Sequence, residues 1–196
     1  MTSNHYSFEP KVLLRNKYTQ TILGAIVSGN TDFPECKLHK VFIDHNAKLV
    51  LFELPSNNPE ATVVLLAHGM GGCSEASYMR RIARKLWIRG FTVFMMNQLG
   101  SGLGMGLSDR LWNGGSSDDL GKTVNYIAKI HPSAAIDVVG FSLSGNVLLK
   151  LLGEKNKKNT GIRRAIAVNP PIDLKMASYF LSNTTWGRVF NNYYMR

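Results

Sequence analysis

Cysteine is scarce in this chain, which has only Cys36 and Cys73 among its 196 residues. Two isolated cysteines give no disulfide framework, and they lack the spacing of metal ligands. Either residue suits a free thiol in a reducing compartment. The sequence therefore predicts neither a network of structural disulfides nor a metal centre.

Long apolar runs are also absent. No run approaches the roughly 20 residues that a membrane-spanning helix needs. The first residues, Met1 to His5, show no basic region followed by an apolar stretch, so no signal peptide is indicated. We therefore expect a soluble, cytoplasmic protein with no transmembrane segment, and this length suits one domain with a sizeable core.

Acidic residues are few, 13 against 23 lysines and arginines, and the formal net charge is +10. Such a charge can favour an anionic partner such as nucleic acid or a lipid surface. No interleaving of aromatic and basic residues and no known nucleic-acid module accompanies it, so we favour solvated helix faces and loops. No nucleic acid is expected as a partner, whereas an acidic membrane surface stays open for an enzyme that acts on lipids. The basic clusters are Arg80, Arg81, Arg84 and Lys85, and Lys155, Lys157, Lys158, Arg163 and Arg164.

Hydrophobic periodicity predicts the order of the elements. Two short runs flank a turn-like segment at 44–47 and predict a β-hairpin. Continuous apolar runs follow, typical of strands buried on both faces, and they alternate with segments of helical periodicity. This order predicts a doubly wound α/β sheet with right-handed crossovers. The predicted strands are 38–43, 48–54, 62–67, 91–96, 135–139 and 164–168, and the predicted helices are 13–23, 77–89, 118–130 (with Ser117 or Asp118 as cap), 143–153 and a tail at 173–196.

Two nucleotide-binding motifs can be tested against the glycine-rich segment and the helix after it. A dinucleotide fingerprint that starts at Gly100 and Gly102 needs a third glycine where Met105 stands, and no helix opens directly behind it. A P-loop that ends at Lys122 needs its first glycine where Ser116 stands. Both motifs are therefore disfavoured.

The stretch around Ser142 has the pattern of a nucleophile elbow. An apolar run ends at Gly140, Ser142 follows two residues later, and an apolar periodic segment begins at Leu143. A sharp turn between strand and helix would lift the Ser142 hydroxyl above the sheet edge, and small neighbours would let strand and helix pass closely. The alternative interpretation is a strand–helix turn with an ordinary N-cap serine.

A second loop, 68–72, follows the strand at 62–67 and reaches the same sheet edge, where open α/β sheets bind ligands. The oxyanion of acyl transfer needs fixed N–H donors. The amide of Leu143, directly after the nucleophile, is one candidate, and the amide of Met70 is the natural second one. We interpret His68 as a structural residue that shapes this loop.

Motifs along most of the chain carry a family resemblance. Together they resemble α/β-hydrolases and, more narrowly, the YheT-like branch, which is related to the eukaryotic hydrolases of the EMB8 type. The motifs are His68-Gly69-Met70-Gly71-Gly72, Arg89-Gly90-Phe91, Met96-Asn97, Gly100-Ser101-Gly102, Asp118-Asp119-Leu120, the run from Gly140 to Lys150, Asn16 with Thr19-Gln20-Thr21, Asn169-Pro170-Pro171-Ile172-Asp173-Leu174 and Tyr193-Tyr194-Met195-Arg196.

The resemblance implies an α/β-hydrolase-type, mostly parallel sheet with an N-terminal β-hairpin, incomplete on its C-terminal side. It implies an N-terminal arm at 1–35, an incomplete core at 36–173 and the start of a cap or lid at 174–196. The implied activity is that of a serine carboxylic-ester hydrolase, esterase- or lipase-like, without a cofactor, on a small-molecule ester that can be a lipid. Ser142 would be the nucleophile, and Met70 and Leu143 the oxyanion donors. The sequence indicates neither the particular ester nor the oligomeric state.

Three departures from the family pattern stand out. Ser144 replaces the usual second glycine of the elbow, and Leu99 stands where the family usually has arginine. In this fold the triad acid and histidine follow the serine, yet all five histidines here precede Ser142. After Ser142 the only acids are Glu154 and Asp173, and Asp173 lies in the motif before the cap.

Because a serine hydroxyl is a weak nucleophile without a base, the activity of this chain is an open question. The explanation we favour is a truncated or split gene product. A catalytically inactive relative with a binding role and a base supplied from elsewhere, by His68 or a partner chain, are the alternatives. Truncation would leave the strand at 164–168 as an exposed edge and the apolar tail uncovered.

Overall fold

The computed structural model describes residues 9–16, 19, 33–154 and 161–194. The chain divides into two units, Met1–Asp32 and Phe33–Arg196. In the first unit, Val12–Leu14 form one turn of 3-10 helix, and most of the helix predicted at 13–23 lies outside the described residues. The elements described next belong to the second unit.

A six-stranded sheet forms the centre of this unit. Its strands are β1 (Lys37–Asp44), β2 (Ala47–Leu54), β3 (Val63–Ala67), β4 (Thr92–Asn97), β5 (Ile136–Phe141) and β6 (Ile162–Val168). Their order across the sheet is β1-β2-β4-β3-β5-β6. The hairpin strands β1 and β2 are antiparallel to each other and β2 is antiparallel to β4, whereas β4, β3, β5 and β6 run parallel. The predicted doubly wound, mostly parallel sheet with an N-terminal hairpin is confirmed.

Helices cover both faces of the sheet. The α-helices of the described residues are α1 (Ser77–Ile88), α2 (Ser117–Ile130), α3 (Leu143–Gly153), α4 (Leu174–Asn183) and α5 (Thr185–Tyr194). Alternate residues of β3 contribute to two separate cores, one shared with α2 and α3 and the other with α1. Successive side chains of a strand point to opposite faces, so a strand covered on both sides must be apolar at every position. Each fully buried leucine or valine contributes about 1.5–3 kcal/mol.

The start of α2 differs from the prediction. The helix begins at Ser117, and Ser116 is the residue that precedes it. The Ser116 hydroxyl accepts the Asn113 N–H at 3.0 Å, while the Ser117 hydroxyl donates to Glu154 at 3.0 Å near the end of α3. The hydroxyl of Ser117 therefore joins two helices instead of capping one, a long-range contact that sequence spacing does not reveal.

Strand β6 is the last strand on its side of the described sheet, as the prediction of an exposed edge requires. Its burial pattern is mostly exposed, and Ile166 is 58% exposed. At this edge the Arg163 guanidinium donates to both oxygens of Asp137, at 2.9 and 2.7 Å. The following helix α4 buries none of its residues. Among the described residues, no helix combines the length and the apolar character needed to cross a membrane.

Candidate active site

Ser142 lies at the junction of β5 and α3, with φ 50° and ψ −120°. This left-handed φ is disfavoured for a residue with a side chain, and holding it costs about 1–3 kcal/mol. The Ser142 N–H donates to Val168 at 2.9 Å, and its carbonyl accepts the N–H groups of Gly145 and Asn146, so both backbone groups are held. The side chain is exposed. The sharp strand–helix turn predicted at this point is therefore present.

Gly140 explains how strand and helix pass so closely. A Cβ at this residue would lie 2.5 Å from the carbonyl oxygen of Ser144 and 2.9 Å from the Cα of Gly145. Both atoms belong to the backbone of α3, which cannot move away as a flexible side chain could. Only glycine at position 140 allows the first turn of α3 to sit against the end of β5.

The loop after β3 contacts the turn at Ser142. A Cβ on Gly69 would lie 3.0 Å from the Cβ of Ser142. The Gly69 N–H donates to the Tyr78 hydroxyl at 3.1 Å, and the Gly69 carbonyl accepts the Gly72 N–H at 3.1 Å. The loop is thus anchored on both sides of Met70.

The two amides selected from the sequence are uncommitted. Within the described part of the chain, neither the Met70 N–H nor the Leu143 N–H donates to a protein acceptor. Free N–H groups at a helix start and in an adjacent loop are suited to an anionic oxygen. Met70 and Leu143 both line the pocket beside Ser142.

His68 is fully buried behind this loop, with 0% exposure. Its Nδ1–H donates to the Gly69 carbonyl at 2.7 Å, and its Nε2 accepts the Gln98 N–H at 3.1 Å. The Trp112 ring packs edge-on at 5.7 Å. Burial lowers the pKa of His68, so the ring is neutral at pH 7. This geometry fits the prediction that His68 shapes the loop, and it rules out the alternative of His68 as the base, because both ring nitrogens are engaged away from Ser142.

A pocket of about 400 Å³ opens at Ser142. Its far wall is formed by the two tail helices, α4 and α5, so the tail segment lies across the pocket from the elbow. The lining residues are Met70, Ser142, Leu143, Pro171, Leu174, Ala177, Ser178, Leu181, Ser182 and Asn191. Most of these side chains are apolar, and the polar ones other than Ser142 belong to the tail helices: Ser178, Ser182 and Asn191.

The Ser142 hydroxyl has no hydrogen-bond partner among the described residues. Two further described histidines, His39 and His131, donate to opposite oxygens of Glu53, at 2.8 and 3.1 Å. The fourth described histidine, His45, is exposed at the turn between β1 and β2, and none of the four is hydrogen-bonded to Ser142. The described part of the chain therefore holds no imidazole base against Ser142. Nor does that part contain a group of three or more His, Cys, Asp or Glu residues arranged to hold a metal ion.

Sequence reasoning missed two residues that support the loop, Tyr78 and Gln98. Tyr78 lies on α1 and accepts the Gly69 N–H, while the Gln98 amide group donates to the Ser144 hydroxyl at 2.9 Å. Neither residue stands in a recognisable motif, so no sequence signal pointed to them. Ser144 was visible as a departure from the elbow pattern, but its partners were not.

Comparison with known proteins agrees with this geometry. Residues 62–195 match the model of a family described as alpha/beta hydrolase fold. A monoacylglycerol lipase of Saccharomyces cerevisiae is 31% identical over 139 residues, which make up 70% of this chain and 30% of that protein. The embryogenesis-associated protein EMB8 of Picea glauca is 28% identical over 149 residues, 76% of this chain and 31% of that protein.

Solved structures give the same fold. The Pyrococcus furiosus esterase Pf2001 aligns with a TM-score of 0.64 and 23% identity, covering 87% of this chain and 68% of that chain. The chain spans less than a third of the length of the two relatives described above. The matched family model, the relatives and the parallel sheet with its elbow agree: this chain belongs to the α/β-hydrolase fold family.

Proposed function

We propose that this chain carries the nucleophile and the oxyanion donors of a serine carboxylic-ester hydrolase. Ser142 is the nucleophile, and the N–H groups of Met70 and Leu143 bind the oxyanion. The observation that carries the proposal is the conformation of Ser142, exposed at φ 50° between a strand and a helix at the mouth of a pocket. An ordinary N-cap serine has a negative φ and bonds to the first turn of its helix. Ser142 makes no side-chain cap hydrogen bond.

The reaction follows from these positions. Ser142 Oγ bonds to the ester carbonyl carbon, its proton passes to a general base, and the carbonyl oxygen becomes an oxyanion held by the two amides. The tetrahedral intermediate then collapses, and its bond to the alcohol oxygen breaks. The alcohol leaves with the proton that the base had taken, and an acyl-serine remains. Water, losing a proton to the base, then attacks the acyl carbon. The bond from that carbon to Ser142 Oγ breaks, Oγ takes back the proton, and the carboxylic acid leaves. The general base comes from outside the described residues, since none of them supplies one to Ser142.

The pocket suggests the class of ester. Its apolar lining fits an acyl chain, and its polar residues Ser178, Ser182 and Asn191 fit a hydroxylated alcohol group. One relative is named a monoacylglycerol lipase and one fold neighbour an esterase. We therefore propose monoacylglycerols and related apolar esters as substrates.

The proposed organisation assigns residues 1–35 to an N-terminal arm, 36–173 to the hydrolase core and 174–196 to the start of a cap. The position of α4 and α5 across the pocket from Ser142 supports the cap assignment. A cytoplasmic location and the absence of a nucleic-acid partner stay predictions from the sequence.

A second candidate function is a binding module without catalysis. The observation that favours it is the Ser142 hydroxyl without a base in the described residues. Such a protein would keep the pocket and bind an ester or fatty acid without turning it over.

An added base distinguishes the two functions. The purified chain is assayed with a p-nitrophenyl ester and with a fluorophosphonate probe, with and without imidazole as a diffusible base. Ser142→Ala corrects for the background reaction with imidazole, and Ser133→Ala, at an exposed turn, is the matched control. With imidazole present we expect saturable hydrolysis at least about tenfold above Ser142→Ala, because a general base that takes the proton of an attacking serine contributes about 10²–10⁴-fold. Equal rates for the chain and Ser142→Ala, with both folded, would contradict the hydrolase and favour the binding module.

A further inference from the structure

We propose that Ser144 is a positioning residue that fixes the oxyanion loop relative to the nucleophile. The proposal rests on the function proposed above for Ser142 and Met70. Its basis is a closed set of buried hydrogen bonds that joins the ends of β3 and β4 to the first turn of α3. It gives a physical role to the departure of this elbow from the usual second glycine.

Ser144 lies in the first turn of α3 and is fully buried. Its hydroxyl donates to the carbonyl of His68, at the start of the oxyanion loop. The same hydroxyl accepts the side-chain amide of Gln98 at 2.9 Å. One hydroxyl therefore satisfies two buried groups from two different strand ends.

Gln98 and His68 complete the set. The Gln98 backbone N–H donates to the His68 ring at 3.1 Å, and the ring donates to the Gly69 carbonyl at 2.7 Å. Each member is buried with 0% exposure, so no bulk water can replace a lost partner. A shift of any member therefore displaces the carbonyl groups of His68 and Gly69, which belong to the backbone that leads to Met70.

The helix that carries Ser144 also carries the amide of Leu143, the other proposed donor. The hydroxyl of Ser144 thus ties the loop that bears one donor to the helix that bears the other. A glycine at position 144 would leave the His68 carbonyl and the Gln98 amide without this partner. The side-chain oxygen of Gln98, Oε1, already has no partner among the described residues, so this side chain has no spare contact to hold it in place.

A merely structural explanation is that serine fills a small space beside the strand. Alanine fills almost the same space without the hydroxyl, so Ser144→Ala separates the two explanations. A space-filling role predicts no change in loop order or acylation. A positioning role predicts a looser loop and slower acylation with unchanged substrate binding.

The first measurement does not depend on catalysis. Amide hydrogen exchange followed by NMR reports Gly69, whose N–H donates to the Tyr78 hydroxyl on α1, and Gly72, whose N–H donates to the Gly69 carbonyl. We expect exchange at both amides about tenfold faster in Ser144→Ala than in the wild type, as a loosened loop opens more often. The control Ser133→Ala should leave exchange at both glycines unchanged. Unchanged exchange in a folded Ser144→Ala protein would overturn the proposal.

The second measurement uses the imidazole-assisted ester assay. We expect kcat to fall about tenfold with KM within about twofold, because misplacing a donor weakens only transition-state binding. A rise in KM with kcat unchanged would overturn the positioning role. If exchange changes but the wild type itself shows no Ser142-dependent turnover, the proposed function fails while the structural tie of Ser144 to the loop stands.

A second variant covers the case in which Ser144→Ala does not fold. Gln98→Met removes the amide donor and keeps both the Ser144–His68 bond and the backbone bond from residue 98 to the His68 ring. We expect the same direction of change in exchange and kcat, about two- to fivefold. Wild-type exchange and kcat in Gln98→Met would overturn the proposal.

Discussion

Replacing Ser142 by glycine should make this protein more stable. Ser142 is exposed, and its hydroxyl has no partner in the described residues, so its removal sacrifices little packing and no hydrogen bond. What glycine changes is the backbone, since φ 50° with ψ −120° is strained for serine and accessible to glycine. The strain at Ser142 thus serves no structural purpose that a glycine could not serve better.

The magnitude follows from two opposing contributions. Relief of the strained conformation is worth about 1–3 kcal/mol. The greater conformational freedom of glycine in the unfolded chain offsets about 0.5–1 kcal/mol of that. The net gain is about 0–2.5 kcal/mol, and at about 2–4 °C per kcal/mol for a chain of this size the melting temperature should rise by up to about 10 °C.

Urea unfolding followed by circular dichroism measures the gain. Ser142→Ala is the reference, because alanine loses the hydroxyl but keeps the Cβ and its strain. Asn169→Gly is a second control, at the other described non-glycine residue with positive φ, 48°. Asparagine tolerates this region, so its replacement should gain less than that of Ser142. The reasoning is refuted if Ser142→Gly is no more stable than Ser142→Ala.

Three further substitutions test the core and the buried polar groups. Gly140→Ala should lower the free energy of unfolding by about 3 kcal/mol, because its Cβ would lie 2.5 Å from a backbone oxygen of α3; calorimetry measures this, with Gly121→Ala as a control expected to gain about 0.5–1 kcal/mol. Glu53→Gln should cost about 1–3 kcal/mol in urea unfolding, since the buried side chain at 3% exposure accepts from two imidazoles and an amide cannot serve both. Burial lowers the pKa of His68, so below about pH 6.5 the His68 imidazole binds a proton more readily in the unfolded chain than in the folded one. The stability that neutral His68 provides should therefore be lost as the pH falls below about 6.5, by at most about 1.4 kcal/mol per pH unit. Urea unfolding at several pH values measures this last effect as the difference between the wild type and His68→Gln.

Each of these predictions has a contradicting outcome. A Gly140→Ala protein as stable as the wild type would mean that α3 can move off the end of β5. Wild-type stability of Glu53→Gln would mean that the two imidazoles contribute nothing through Glu53. A difference between the wild type and His68→Gln that stays constant from pH 7.5 to 5 would mean that His68 does not titrate on unfolding.

The fold was largely predictable because hydrophobic periodicity reports burial directly. The run at 62–67 is apolar at every position since β3 is covered on both faces, and the helix at 143–153 was predicted with the bounds that the structure gives. The start of α2 was predicted less well, because the hydroxyl of Ser117 bonds to Glu154 on a distant element. Local sequence preference cannot reveal a partner that only tertiary folding brings near.

The position of the candidate site was also predictable. Gly140, Ser142 and the loop from His68 lie at the ends of parallel strands, and such ends meet at one edge of the sheet. The network behind the site was not predictable, because Gln98 and Tyr78 carry no motif. Their importance depends on the side chains that they meet, Ser144 in one case and the Gly69 backbone in the other.

The sequence by itself determined that Ser142 sits on a strand–turn–helix, since apolar runs and a glycine define that local shape. It also determined that no histidine follows Ser142 in these 196 residues. Only the tertiary structure decided which groups are free to act. It committed one ring nitrogen of His68 to the Gly69 carbonyl and the other to the Gln98 N–H, and it placed the tail helices across the pocket from Ser142. It also left the amides of Met70 and Leu143 without acceptors among the described residues. Hydrogen-bond partners and burial arise from contacts between distant segments, so they are properties of the folded chain and cannot be deduced from the sequence pattern.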